Sequence, residues 1–212
     1  MTGTLDAPLA SGTPSLTQAT PQGVGTEHAS MLNKLRAGVL GANDGIVSVA
    51  AMVMGVAGAT TDSFAILVAG IAGLSAGALS MAVGEYVSVS AQRDSERALV
   101  ERVRANGGPD AVASLGLDPD ELVNPWHAAW ASMGAFVVGA LVPLLVMVLS
   151  GPGLRVWATA AAVVAALVLT GVVSAKVGGA RVAPAVVRVV SGGVLAMAIT
   201  YAIGTLVGGG IA

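Results

Sequence analysis

The chain contains no cysteine, and that one absence removes disulfides, thiolate metal sites and cysteine nucleophiles together. Charge is scarce: Asp, Glu, Lys and Arg make up 10% of the residues, against about 25% in an ordinary soluble domain. The net charge of −2 leaves no basic face, so no nucleic-acid partner is expected. Aromatic residues reach only 3%, which argues against a roomy pocket for an organic cation. No H-E-x-x-H pair occurs, and Ser48, Ser80 and Ser88 have no histidine near them in sequence. An intramembrane hydrolase is therefore not expected, nor is any other enzyme.

What the chain has in quantity is apolar and small. It is 55% hydrophobic with 29 glycines, and its mean hydropathy is +0.82. Gly and Ala let helix backbones approach closely in lipid, where burial of apolar surface no longer drives association. The expected fold class is an all-α integral membrane protein. A hydrocarbon core of roughly 30 Å needs spans of about 20 apolar residues. Five such spans emerge, near 37–59, 64–90, 128–150, 154–175 and 185–210. Pro143 falls inside the third, and Trp126, Trp130 and Trp157 lie at span starts, where indoles favour the interface.

The organisation follows. Residues 1–32 are polar and rich in Thr, Ser, Pro and Gly, with no apolar stretch behind a basic start. They are expected to form a disordered tail and not a signal peptide, with His28 solvated inside it. Residues 33–90 form a first transmembrane hairpin, 91–127 a short helical segment outside the membrane, and 128–212 three further spans. Nine of the ten basic residues fall on one side, with Arg155 alone on the other. By the positive-inside rule that side is cytoplasmic, which puts the N-terminus and the 91–127 segment inside and the C-terminus outside.

Two acids stand out. Asp44 lies in the run 39–59 and Glu85 in the run 64–90, and no other acid sits deep in an apolar segment. A carboxylate in hydrocarbon is costly unless it meets a protein interior, a partner or an ion, so it is a functional-site hypothesis by default. At about 1.5 Å per residue, Asp44 is roughly 22 Å below the turn near Ala59 and Met81 roughly 27 Å below it. Both should occupy similar levels, with Glu85 one turn from Met81 on the same face. Gly41, Asp44, Gly45, Ser48 and Met52 form one small and polar stripe. Gly73, Gly77, Met81 and Glu85, with the offset Ser80, Gly84 and Ser88, form its counterpart. Carboxylates suit Mg²⁺, Mn²⁺ and Fe²⁺, whereas a thioether is a soft ligand that Ca²⁺ and Mg²⁺ do not favour. Asp44, Met81 and Glu85 together thus point to a first-row transition metal as cargo. A carboxylate in low dielectric holds its proton more tightly than in water and can exchange it for a cation. A packing role for Met81 and an interfacial position for Glu85 are the plainer alternatives. A non-transporting adaptor or scaffold and a transporter of another small cation are the rival functions; the adaptor leaves the paired stripes unexplained.

Gly41-Ala-Asn-Asp-Gly-Ile-Val-Ser48 and Leu79-Ser-Met-Ala-Val-Gly-Glu-Tyr-Val-Ser88 resemble the vacuolar iron transporter family. Gln92-Arg-Asp94 and Pro125-Trp-His-Ala-Ala-Trp-Ala-Ser132 look like it too, and the resemblance covers roughly residues 33–212. It implies a five-helix protomer working as a homodimer, with the ion path between the first helices. It further implies export of Fe²⁺ or Mn²⁺ from the cytosol against protons, here across a bacterial plasma membrane, with no cofactor. Asp44 and Met81 match the family's intramembrane metal positions, and Glu85 an acidic position near the cytoplasmic mouth. Asn43 and Ser80 flank them as weaker candidates. Family members usually carry a glutamate-rich cytoplasmic domain after the second span. Here the 91–127 segment is short and offers only Glu96 and Glu101 as metal candidates, with Arg97 and Glu101 placed as a solvated helix pair. Asp118-Pro119-Asp120-Glu121 has the form of a helix start, and His127 is expected at the interface.

Overall fold

The computed structural model describes residues 25–113 and 124–211, with side-chain surroundings for 37–106 and 124–210. Five helices follow in order: α1 (Gly25–Ala59), α2 (Ser63–Ala113), α3 (Pro125–Leu149), α4 (Arg155–Val177) and α5 (Val182–Ile211), with no strand among the described residues. Each is long and apolar enough to cross a membrane. The expected five-span, all-α class is what the chain adopts.

Local chemistry fixes the helix ends. Asp62 accepts a hydrogen bond from the Phe64 N–H at 2.9 Å and so caps α2. Asn124 does the same for α3, accepting from the Trp126 N–H at 3.0 Å, with Pro125 at the first helical position. That start precedes the expected boundary at 128. The helix start expected at Asp118–Glu121 lies outside the described residues. Helix α4 ends where Gly179 turns to a φ of 63° and the Ala180 N–H reaches back to the Ala175 carbonyl at 2.8 Å. Only a residue without a Cβ adopts that conformation cheaply.

Two boundaries differ from expectation. Helix α1 has begun by Gly25, inside the segment expected to be tail, whose first 24 residues lie outside the described ones. Helix α2 does not stop near Ser90 but runs 51 residues, about 76 Å at about 1.5 Å per residue. That is more than twice the roughly 30 Å hydrocarbon core, so its second half projects beyond one membrane face. The change at Ala91 is one of environment and not of conformation. Ala98, Leu99, Glu101 and Arg102 are good helix formers, and Gln92 donates to Glu96 at 3.0 Å, one turn apart. Val100 on this extension is buried.

The hub of the bundle is α1, which packs on all four other helices; among the described residues α2 touches only α1 and α3, and α5 only α1 and α4. The core joins Ile46, Val49, Ala50 and Val53 of α1 to Phe136, Ala140 and Met147 of α3, Val163 and Leu167 of α4, and Met197 of α5. At Gly45 a Cβ would overlap the Phe136 carbonyl, and at Gly139 one would overlap the Ala42 carbonyl. Helices α1 and α3 are therefore in backbone contact through reciprocal glycines. Trp126, Trp130 and Trp157 are exposed near the starts of α3 and α4, as expected of interfacial indoles. Arg155, the basic residue expected apart from the others, is buried and donates to the Thr61 carbonyl at 3.2 Å. It ties the start of α4 to the α1–α2 turn.

Candidate metal path between α1 and α2

Along α1, Asp44, Ser48 and Met52 recur every four residues and therefore share one face. Along α2, running back, Gly73, Gly77 and Met81 do the same, with Ala76 and Ser80 beside them. These two faces, closed on one side by Phe136 of α3, line a single cavity of about 350 Å³. The antiparallel hairpin sets three levels, Asp44 with Met81, Ser48 with Gly77 and Met52 with Gly73. Each step of four residues is one turn, roughly 6 Å. The cavity opens sideways: Ser48 and Ser80 are exposed at its rim. The glycines of α2 make its width. A Cβ at Gly77 would enter the Phe136 ring, and one at Gly73 would enter the Met52 thioether.

Asp44 is half-buried and is the one acid lining the cavity. Its Oδ1 accepts a hydrogen bond from the Ser48 hydroxyl at 3.0 Å. Its carboxylate has further lone pairs for a ligand. The cavity therefore offers a carboxylate, a thioether from Met81 and hydroxyls from Ser48 and Ser80. That mixed set suits a borderline cation better than a purely hard one. No group of three or more His, Cys, Asp or Glu side chains is gathered anywhere among the described residues, so one protomer supplies a single acid here.

The other sequence candidates fall elsewhere. Glu85 is half-buried one turn beyond Met81 and does not line the cavity. Its neighbour Tyr86 stacks on Trp126 with ring centroids 4.7 Å apart and planes at 50°, which pins this part of α2 to the start of α3. Asn43 is rotated away from the cavity, and its Oδ1 is buried without a hydrogen-bond partner. Glu96 and Glu101 lie on the α2 extension, Glu96 engaged by Gln92 and Glu101 exposed. His127 is exposed. Ser48 and Met52, expected in the stripe that faces the path, line the cavity. Their signal was the four-residue spacing from Asp44. Phe136 carried no signal beyond being one of two phenylalanines.

Comparison with known proteins places these residues in context. The family model described as the VIT family matches residues 35–111 and 109–205. The chain is 48% identical over 191 residues to a protein named vacuolar iron transporter homolog 1 of Oryza sativa subsp. japonica, covering 88% of this chain and 79% of that one. It is 46% identical over 170 residues to vacuolar iron transporter homolog 2 of the same plant, covering 80% and 88%. It is 42% identical over 175 residues to vacuolar iron transporter homolog 1 of Arabidopsis thaliana, covering 82% and 83%.

Proposed function

The chain belongs to the VIT family, and on that footing we propose that it carries a divalent first-row metal ion, Fe²⁺ or Mn²⁺, out of the cytosol. The observation that carries this reading is Asp44: a carboxylate in a membrane span, facing an open cavity, with a hydroxyl as its partner. Such a group is retained where it meets something charged in passing.

In this mechanism a hydrated ion arrives from the side of the α2 extension, where Glu85 draws it toward the mouth. At the next level Asp44 replaces lost water with carboxylate oxygen, and Ser80 adds a hydroxyl. Met81 contributes a thioether, which favours Fe²⁺ over Mg²⁺ or Ca²⁺. Protons move inward as the metal moves out, so that export draws on a proton gradient. A second copy meeting this one along the open side would bring Asp44 and Met81 of both protomers around one ion, making a homodimer the working unit. The charge distribution supports a cytosolic N-terminus and an outside C-terminus. A bacterial plasma membrane is the proposed location, and a vacuolar membrane would present the same cytosolic side.

The test is flux into proteoliposomes holding the full chain. Wild type should carry Fe²⁺ or Mn²⁺ inward and alkalinise the lumen in step, whereas Asp44→Ala should abolish movement while remaining dimeric by crosslinking. Undiminished flux by Asp44→Ala would remove the carboxylate from the path and the proposal with it.

A further inference from the structure

The cavity does not end at the Asp44 level. Two turns along α1 it reaches Met52, whose side chain is 43% exposed and lines the same 350 Å³ space. Two turns along α2, in the opposite direction, it reaches Gly73. The Met52 sulfur lies against Gly73 so closely that a Cβ there would occupy the thioether's place. The level of Met52 and Gly73 is roughly 12 Å from that of Asp44 and Met81, at about 1.5 Å per residue over eight residues. The Ser48 hydroxyl lies between them, hydrogen-bonded to Asp44.

From this arrangement we infer that Met52 forms a second cation station, a neutral thioether site toward the Ala59 end of the groove. It is distinct from the carboxylate site at Asp44 and selective for soft and borderline divalent ions. The inference rests on the transport reading above and extends it. A carboxylate holds a divalent cation strongly, and an ion moving along a path is released more readily when a second, weaker position lies next to the first. A thioether does this for Fe²⁺ or a softer ion and does little for Mg²⁺. The space vacated by Gly73 keeps the sulfur in the groove and not packed into the core, unlike the buried Met54, Met147 and Met197.

Residue-resolved oxidation of the purified full-length chain tests this, since peroxide converts an accessible thioether to the sulfoxide and a sulfur lone pair held by metal reacts slowly. Cd²⁺ is the probe, Mg²⁺ the hard control and half-buried Met133 of α3 the internal reference. Cd²⁺ should slow sulfoxide formation at both Met52 and Met81 by about fivefold and leave Met133 alone, with no effect of Mg²⁺. Protection of Met81 without Met52 overturns the second station and leaves the Asp44 site standing. Protection of neither overturns both. In proteoliposomes, Met52→Leu keeps the volume and should lower the ratio of Cd²⁺ to Mn²⁺ flux by about fivefold. A wild-type ratio would refute the inference.

Discussion

Gly45 sits between the packing of α1 and its chemistry, so the pair Gly45→Ala and Gly38→Ala isolates what close helix approach contributes. Both substitutions improve helix propensity by about 1 kcal/mol. At Gly38 the added methyl meets nothing within 4 Å, so that gain should appear unopposed. At Gly45 it meets the Phe136 carbonyl and, at 3.0 Å, the Ala140 nitrogen. Both are backbone of another helix and neither can rotate away. Overpacking of this kind costs about 1–3 kcal/mol, leaving Gly45→Ala about 0–2 kcal/mol less stable than wild type once the propensity gain is subtracted. For a chain of this length that is a fall in midpoint of up to about 8 °C, against a rise of about 2–4 °C for Gly38→Ala. Thermal unfolding in detergent, followed by loss of the monodisperse species, reads it directly. Because Asp44 is the adjacent residue, the same displacement should also reduce metal flux. A Gly45→Ala midpoint equal to or above that of Gly38→Ala would mean that α1 and α3 are not in backbone contact.

Other substitutions probe separate features. Asn124→Ala removes the cap of α3 and should cost about 1 kcal/mol, seen as a midpoint lowered by about 2–4 °C; Asn124→Asp should recover most of it. Ser48→Ala frees the Asp44 Oδ1 from its 3.0 Å hydrogen bond, with a net loss of about 0.5–1.5 kcal/mol. It should change the metal concentration at half-maximal flux by less than about tenfold, against abolition by Asp44→Ala. Met81→Ala should leave some flux but weaken discrimination of Fe²⁺ from Mg²⁺, measured by competition in proteoliposomes. Unchanged competition would show that its thioether does not select the ion.

The membrane class and the five spans were legible because bilayer thickness imposes a length on any apolar run, and nothing local has to be right for that reading to work. The shared level of Asp44 and Met81 was legible too, from helical rise alone, once Ala59–Ser63 was recognised as the turn. The end of α2 was not. Hydropathy falls after Ser90, yet helix formation depends on propensity and local pairing, and both persist through Arg93–Arg104. The start of α3 was missed for a different reason. Its Asn124-Pro125 start signal lies ahead of the purely apolar run, and packing of Tyr86 on Trp126 holds that first turn in place. The role of Phe136 was invisible, because it approaches Gly77 from a helix about 60 residues away in sequence.

The face assignments of α1 explain why the candidate path takes the form it does. Gly41 and Gly45 turn toward α3, where added side chains would strike backbone, while Asp44, Ser48 and Met52 turn toward α2 and the cavity. One helix therefore carries two adjacent stripes with opposite demands, one that must be small and one that must be polar or soft. The first locks α1 rotationally against α3, and that lock aims the second. On α2 the glycines play the converse part: they yield space and leave the groove to side chains from α1 and α3. A path built this way is rigid on the α1–α3 side and adjustable on the α2 side. Among the described residues helix α2 touches only α1 and α3, so its movement leaves the packing of α1 and α3 on α4 and α5 in place. Conformational change during transport should accordingly be sought as movement of α2 against a fixed α1–α3 pair. A crosslink between α2 and α3 near Leu144 and Gly70, which lie in contact, should slow flux more than one between α1 and α5 near Gly55 and Thr200. Equal slowing by both would show that α2 does not move alone.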